Sequence, residues 1–352
     1  MSIGPPIVER DMVLDRLRGI AILLVVLGHV VIYAYGLLAN PGGNWAAEVL
    51  RGAIYAFHMP LFMALSGFVL FGRLGSSPVR WISRRALRLL VPYAAWFMLP
   101  ALIGRGSRPG VLGYCGGIIE RFGLALIHPE QGLWFLYVLF LCSVALVMLP
   151  RRWKPISTAA AFMAMWALVA VGLAVWPTSG FGLDLFRDLA PYFIGGYLVS
   201  ATRGRVPWER IALLGAAAWV VVTGLTALGP RIGLDGMPGL ASLRVVGAAL
   251  SALAGICLAY EAAALFGGLV GKALAFLGRR SMDIYVTHTF LLGVWATSLS
   301  LPLPRGILAV LVVTCVTVGV SLAVARALSS WNVTSALFLG TLPRRGEGAT
   351  LS

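Results

Sequence analysis

Residues 18–38 form an apolar run of about 20 residues, enough to cross roughly 30 Å of hydrocarbon as a helix. That run limits the possible folds severely. Backbone N–H and C=O groups in hydrocarbon must be satisfied within the segment or in a closed barrel, so a long, continuous apolar run is read as a helix. Nine more runs follow, at 52–71, 89–104, 132–149, 156–176, 188–202, 210–228, 243–266, 282–300 and 306–328. The chain is therefore expected to be all-α, a polytopic integral membrane bundle of about ten transmembrane helices. Its charge content agrees: 12% of residues are charged, where a soluble domain carries about 25%. No small-residue cleavage site follows the first run, which is expected to be retained as a span. The third and sixth runs are short, and Pro92 and Pro191 are expected in their first turns, where a missing N–H costs little.

The formal charge of +15 is distributed with a bias. With the N-terminus in the cytoplasm, 20 of the 28 basic residues fall on the cytoplasmic side, as the positive-inside rule requires. Both termini are then cytoplasmic. Basic residues concentrated in the short loops of a membrane bundle argue against a nucleic-acid partner, whose basic patches sit on soluble modules. Cys142, Cys257 and Cys315 lie within apolar runs and Cys115 stands apart, so neither a disulfide framework nor a metal-ligand spacing is present. Residues 105–131 are too mixed for a span. Within them Ile118–Ile127 is amphipathic and predicts an interfacial or re-entrant helix on the outer face. The tail from Pro343 is expected to lack regular structure.

Ionisable groups inside spans are expensive and mark functional sites by default. Three of the four histidines, His29, His58 and His288, lie in apolar spans. His29 follows Arg18 by eleven residues. At about 100° and 1.5 Å per residue, the two share a helix face about 16 Å apart. Asp15, three residues before Arg18, is placed to orient it. His29 reads either as a packing histidine bonded between helices or as a general base in dry surroundings. His58 precedes Pro60, which is expected to kink the second span and free a carbonyl, and Ser66-Gly67 allows close helix approach. In RWISRRALRLLVPY, Arg80, Arg84 and Arg88 share a face at i,i+4 spacing, reading either as a topological anchor or as a phosphate clamp. In LGRRSMDIYVTHTF, Ser281 is a plausible N-cap, and Tyr285 and His288 enter the ninth span. Glu261, in the eighth span, needs a partner or a proton.

Five segments together resemble the membrane-bound acyltransferase-3 family: LDRLRGIAILLVVLGH, FHMPLFMALSGFVL, RRALRLLVPY, GLWFLYVLF and LGRRSMDIYVTH. They occur in the family's order over nearly the whole chain. The resemblance implies a ten-span enzyme that uses an acyl-CoA, usually acetyl-CoA, from the cytoplasm to O-acylate carbohydrates such as exopolysaccharide, O-antigen or peptidoglycan units. It matches Arg18 and His29 to the family's essential Arg/His pair. Arg84, Arg85 and Arg88 match its basic motif for CoA, and His288 matches its C-terminal histidine. It also implies a stand-alone member without an appended extracytoplasmic hydrolase-like domain.

The expectation is therefore an O-acyltransferase in a bacterial inner membrane. Its segments would be 1–17, a membrane domain at 18–328 and a cytoplasmic tail at 329–352. Its co-substrate would be acetyl-CoA or another acyl-CoA, its acceptor a carbohydrate or glycolipid, and no metal is needed. His29 and Arg18 are the catalytic candidates; Arg84, Arg85 and Arg88 the CoA ligands; His58, Ser66, Tyr285, His288 and Glu261 the supporting set. Arg18, Tyr285 or Ser66 would supply an oxyanion donor. The competing classes are a proton-coupled transporter or flippase for a glycan or anionic substrate, and a structural subunit of a polysaccharide assembly. No inverted repeat favours a transporter.

Overall fold

The computed structural model describes residues 12–37, 44–72, 77–102, 111–176, 180–202, 240–298 and 306–341. Every regular element among them is helical. In chain order these are α1 (Met12–Tyr35), α2 (Trp45–Tyr55), α3 (His58–Leu70), α4 (Pro78–Leu102), α5 (Val111–Ile127) and a 3-10 turn (Pro129–Gln131). Then come α6 (Trp134–Val147), α7 (Pro155–Val175), α8 (Leu183–Ala201), α9 (Leu240–Leu265), α10 (Gly268–Arg279), α11 (Ser281–Ser298) and α12 (Ile307–Leu328). A helical turn (Asn332–Thr334) runs into a π-helical segment, Ser335–Leu339. Among the described residues, four stretches are long and apolar enough to cross a membrane: Met12–Tyr35, Trp45–Leu70, Pro155–Val175 and Ile307–Leu328. The seventh expected span, 210–228, lies outside the described residues, as do the last eleven residues, 342–352.

The chain divides into two compact units. The first comprises residues 1–62 and 204–321, the second residues 63–203 and 322–352. In the first unit α1 is the hub and packs on α2, α9, α10 and α11. Its contact with α10 is unusually close, and glycine is the reason. A Cβ at Gly278 would strike the Asp15 carbonyl, and one at Gly19 would strike the Leu274 carbonyl. Lipid tails give helices no hydrophobic reason to associate, so they gain instead by close van der Waals approach through small residues. Ala21, Ile22, Val26, Val30 and Val31 fill the remaining α1 surface and are fully buried.

The second unit is built on α4, α6, α7 and α8. α3 and α8 cross through the same device: Gly67 lies against the Phe193 carbonyl and Gly196 against the Ala64 carbonyl. The close approach expected of Ser66-Gly67 is thus realised at Gly67. Phe162 stacks between Phe186 and Phe193, with ring centroids 6.0 and 6.1 Å away. α5 is helical through Ile118–Ile127, with Ile119, Phe122 and Leu126 exposed and Ala125 buried. It is tied to α4 by the Tyr93 hydroxyl, which donates to the Ala125 carbonyl at 2.6 Å.

Two prolines lie where the sequence reading did not put them. Pro92 and Pro191 are interior to α4 and α8, not in first turns. Both helices extend backward beyond the apolar run into polar residues, which hydropathy does not count as span. Each proline leaves the carbonyl four residues earlier without its helical donor. At Pro191 that carbonyl is Arg187's, and the Trp166 indole of α7 donates to it at 2.7 Å. At Pro92 it is Arg88's, and Gly340 lies against it at positive φ, so close that a Cβ would collide. The π-helical segment is pinned to the same helix by the Trp96 indole, which donates to the Phe338 carbonyl at 2.9 Å. The segment up to Gly340 is thereby packed on α4.

Candidate active site

The first unit gathers the intramembrane histidines. On α1, the His29 ring lies 2.9 Å through Nδ1 from the Val25 carbonyl. A carbonyl only accepts, so Nδ1 carries the proton, and in the neutral ring the lone pair is on Nε2. His58 repeats the arrangement, with Nδ1 donating to the Ile54 carbonyl at 2.8 Å. There the chain breaks between α2 and α3 just before Pro60, as the proline predicts. His288, on α11, donates Nδ1–H between the Tyr285 and Ile284 carbonyls, at 2.8 and 3.1 Å. Its Nε2 is buried with no hydrogen-bond partner among the described residues. All three rings thus have the same tautomer, each leaving Nε2 as a base.

The rings also touch. His29 and His288 meet edge to face with centroids 5.0 Å apart. Tyr55 stands between the other two, 4.7 Å from His58 and 6.1 Å from His29. Tyr285 adjoins His288 at 5.9 Å. The result is a row His58–Tyr55–His29–His288–Tyr285 drawn from α3, α2, α1 and α11. His58 and His288 are 1% and 0% exposed, while His29 alone among the three is partly exposed. Gly28 explains how Tyr55 fits, since a Cβ there would lie 2.8 Å from the Tyr55 ring.

Tyr55 was missed in the sequence. Its signal was the Gly28-His29 pair, in which a glycine beside an intramembrane histidine marks an approaching ring, but nothing in the sequence says whose. At the other end of α1, Asp15 is 3% exposed and forms ion pairs with two guanidiniums: Arg18 through Oδ1 and Arg279 of α10 through Oδ2, each at 3.7 Å. The expected orientation of Arg18 by Asp15 is therefore observed. α1 is continuous through both residues, so Arg18 and His29 are about 16 Å apart along its axis. Tyr285 is buried beside His288.

The other candidates are placed separately. Glu261 lies partly exposed on α9 and forms no ion pair among the described residues. Ser66 lies on the portion of α3 that belongs to the second unit. Arg84, Arg85 and Arg88 also belong to that unit, on the polar extension of α4. Arg84 and Arg88 are exposed along with Arg80, as their shared face predicts. Arg85 instead lies over the Trp81 ring at 5.7 Å, and its buried Nε has no hydrogen-bond partner among the described residues. Burial, and secondarily the charge of Arg88, pushes its guanidinium down to about 10, so it remains a cation at neutral pH.

Residues 13–326 match the family model described as the acyltransferase domain, Acyl_transf_3. The chain belongs to the acyltransferase-3 family. Every candidate residue from Arg18 to His288 falls within the matched stretch, and the apolar helices make this family member a membrane protein. Two relatives are nodulation proteins NolL. That of Sinorhizobium fredii (strain NBRC 101917 / NGR234) is 32% identical over 220 residues, covering 60% of this chain and 56% of that protein. That of Mesorhizobium japonicum (strain LMG 29417 / CECT 9101 / MAFF 303099) is 25% identical over 241 residues, covering 61% and 57%. The matched stretch thus spans little more than half the length of either relative. No solved structure matches this acyltransferase-3 chain.

Proposed function

We propose that the protein is an O-acyltransferase of a bacterial inner membrane. It moves an acyl group, acetyl in the first instance, from acyl-CoA to a hydroxyl of a carbohydrate such as an exopolysaccharide or other cell-surface glycan unit. The observation that carries this reading is the row of rings, with one partly exposed histidine whose proton is fixed on Nδ1 and whose Nε2 is a base. In the proposed step, His29 Nε2 takes the proton of the acceptor hydroxyl. The hydroxyl oxygen attacks the thioester carbonyl, the C–S bond breaks, and the departing thiolate takes the proton back from His29. Such a base contributes on the order of 10²–10⁴-fold.

The length of α1 supports a division of labour. Arg18 holds the phosphorylated end of the donor at the cytoplasmic face, with Arg84, Arg85 and Arg88 as further CoA ligands. His29 meets the thioester at mid-membrane. His58, Tyr55, His288 and Tyr285 hold its ring in place. The bundle has ten spans and cytoplasmic termini on this reading, supported by the bias of 20 of 28 basic residues.

The test is acetyl transfer from labelled acetyl-CoA in proteoliposomes, together with mass spectrometry of surface glycans from cells with and without the gene. The expected result is a glycan acetyl ester that requires both the gene and His29. Undiminished transfer by a folded His29→Ala protein overturns the mechanism. Glycans identical in both cell types overturn the acceptor.

A further inference from the structure

α4 carries different chemistry on the two sides of Pro92. Its first half, from Pro78, bears Arg80, Arg84, Arg85 and Arg88; its second half, to Leu102, is apolar. Pro92 has no N–H, so the Arg88 carbonyl loses its helical donor and the two halves can bend about that point. A cation on the first half is only as well placed as that joint is stiff.

Residues 332–340 lie across the joint, in the same compact unit as α4. Four residues before the proline, Gly340 rests against the Arg88 carbonyl. A Cβ there would collide with that carbonyl and with the Pro92 ring, and φ at Gly340 is 65°. Four residues after the proline, the Trp96 indole donates to the Phe338 carbonyl at 2.9 Å, and the two rings meet edge to face at 5.3 Å. Leu339, between these contacts, is buried. The segment is also closed on itself. The Thr341 N–H donates to the Ser335 carbonyl at 3.3 Å, the hydroxyls of the same two residues bond, and the Thr334 hydroxyl donates to the Leu328 carbonyl at the end of α12. Its turn Ser335–Leu339 is π-helical, a rare conformation that recurs at functional sites. Packing the end of α12 would need one contact with α4. Two contacts, one on each turn flanking a proline, hold an angle. The segment lies beyond residue 326, where the acyltransferase-domain match ends.

We propose that residues 332–340 form a splint across Pro92 that fixes the basic half of α4, with Trp96 and Gly340 as positioning residues for donor binding. The assignment rests on the reading of Arg84, Arg85 and Arg88 as acyl-CoA ligands. On that reading the arginines touch the donor, and Trp96 and Gly340 act through the backbone that carries them. A joint that wanders moves all three guanidiniums at once, so loosening the splint weakens donor binding.

The test makes two measurements on the full chain in phosphatidylcholine nanodiscs. One is the distance distribution between spin labels at Val79→Cys and Leu102→Cys, with the four native cysteines replaced by alanine. Both positions are exposed, and they stand about 35 Å apart along α4. The other is the affinity for CoA by calorimetry. Trp96→Phe keeps a ring and loses the indole donor; it is expected to broaden the distribution and weaken CoA several-fold. Gly340→Ala is expected to do both more strongly, and if it fails to fold, Trp96→Phe alone decides. Pro92→Ala gives the Arg88 carbonyl a helical donor again, so in that background Trp96→Phe should change both measurements less. Val333→Ala, exposed on the turn before the splint, should match the unaltered protein. An unchanged distribution in Trp96→Phe overturns the splint and leaves the acyl-CoA reading standing. A broadened distribution with unchanged CoA affinity overturns its part in donor binding. Unweakened CoA binding by an Arg84→Gln, Arg88→Gln double variant overturns the ligand reading itself, and with it that part, without touching the splint.

Discussion

Two helix crossings in this protein use one device and enclose different chemistry. In the first unit, Gly19 and Gly278 bring α1 and α10 into backbone contact; in the second, Gly67 and Gly196 do the same for α3 and α8. Around the second crossing lie uncharged residues, with Phe162, Phe186 and Phe193 stacked behind it. Around the first lie a carboxylate shared by two guanidiniums and, farther along α1, three histidines in one row. Close approach through glycine is therefore a general means of holding helices together in lipid and is no mark of function. The mark is the expensive polar content that only one of the two crossings carries.

That contrast can be broken in several places. The largest effect is expected at His29. His29→Ala should lower acetyl transfer by about 10²–10⁴-fold with unfolding in detergent unchanged. Phe162→Leu, at the heart of the apolar unit, should do the reverse, lowering the melting temperature while the folded fraction retains its specific activity.

Next come the crossings themselves. Gly278→Ala and Gly196→Ala each drive a methyl into a backbone carbonyl and should each cost about 1–3 kcal/mol or more, read as a fall in thermal midpoint. Only Gly278→Ala should also reduce transfer per folded molecule, because it displaces the Asp15–Arg279 pair. Equal losses of specific activity in both would erase the distinction between the units.

Gly28→Ala should push the Tyr55 ring away from His29 and lower transfer by on the order of tenfold to 100-fold, since a shift of about 1 Å at a reacting group has that effect. Paired with Tyr55→Ala it should cost little extra, as the ring it displaces is already gone.

The smallest effect belongs to Trp166→Phe, which strands the Arg187 carbonyl. It should cost about 0.5–1.5 kcal/mol of stability and nothing in transfer. Adding Pro191→Ala restores the helical donor and should recover part of the loss; no recovery would remove the proline from the explanation of that bond.

Much of the fold was legible because hydrocarbon allows so few backbone solutions. Apolar run length pointed to most of the described helices, and Pro60 to the break before His58, but α10, Gly268–Arg279, lies between two apolar runs and was not anticipated. The same reasoning misplaced Pro92 and Pro191, because hydropathy finds the apolar part of a helix and is blind to its polar continuation. α4 runs from Pro78 through the basic run into the apolar segment without interruption. Of the candidate site, Arg18, His29, His58, Tyr285 and His288 could be picked out one at a time as polar groups in costly positions. Arg84 and Arg88 could be placed on a common exposed face by helical spacing. Arg85 turning onto Trp81, and Arg279 sharing Asp15 with Arg18, follow from no periodicity.

The sequence by itself determined that this is a helical membrane protein with three histidines and a set of arginines at depths fixed by their place in each helix. A helix has one geometry, so position along the chain becomes position along and around an axis. The tertiary structure alone decided which helices are neighbours. It chose Tyr55 to stand between His29 and His58, set His288 against His29, and gave Asp15 its second guanidinium. Those contacts depend on where glycine lets two backbones approach, and a glycine in a sequence does not say which helix it admits.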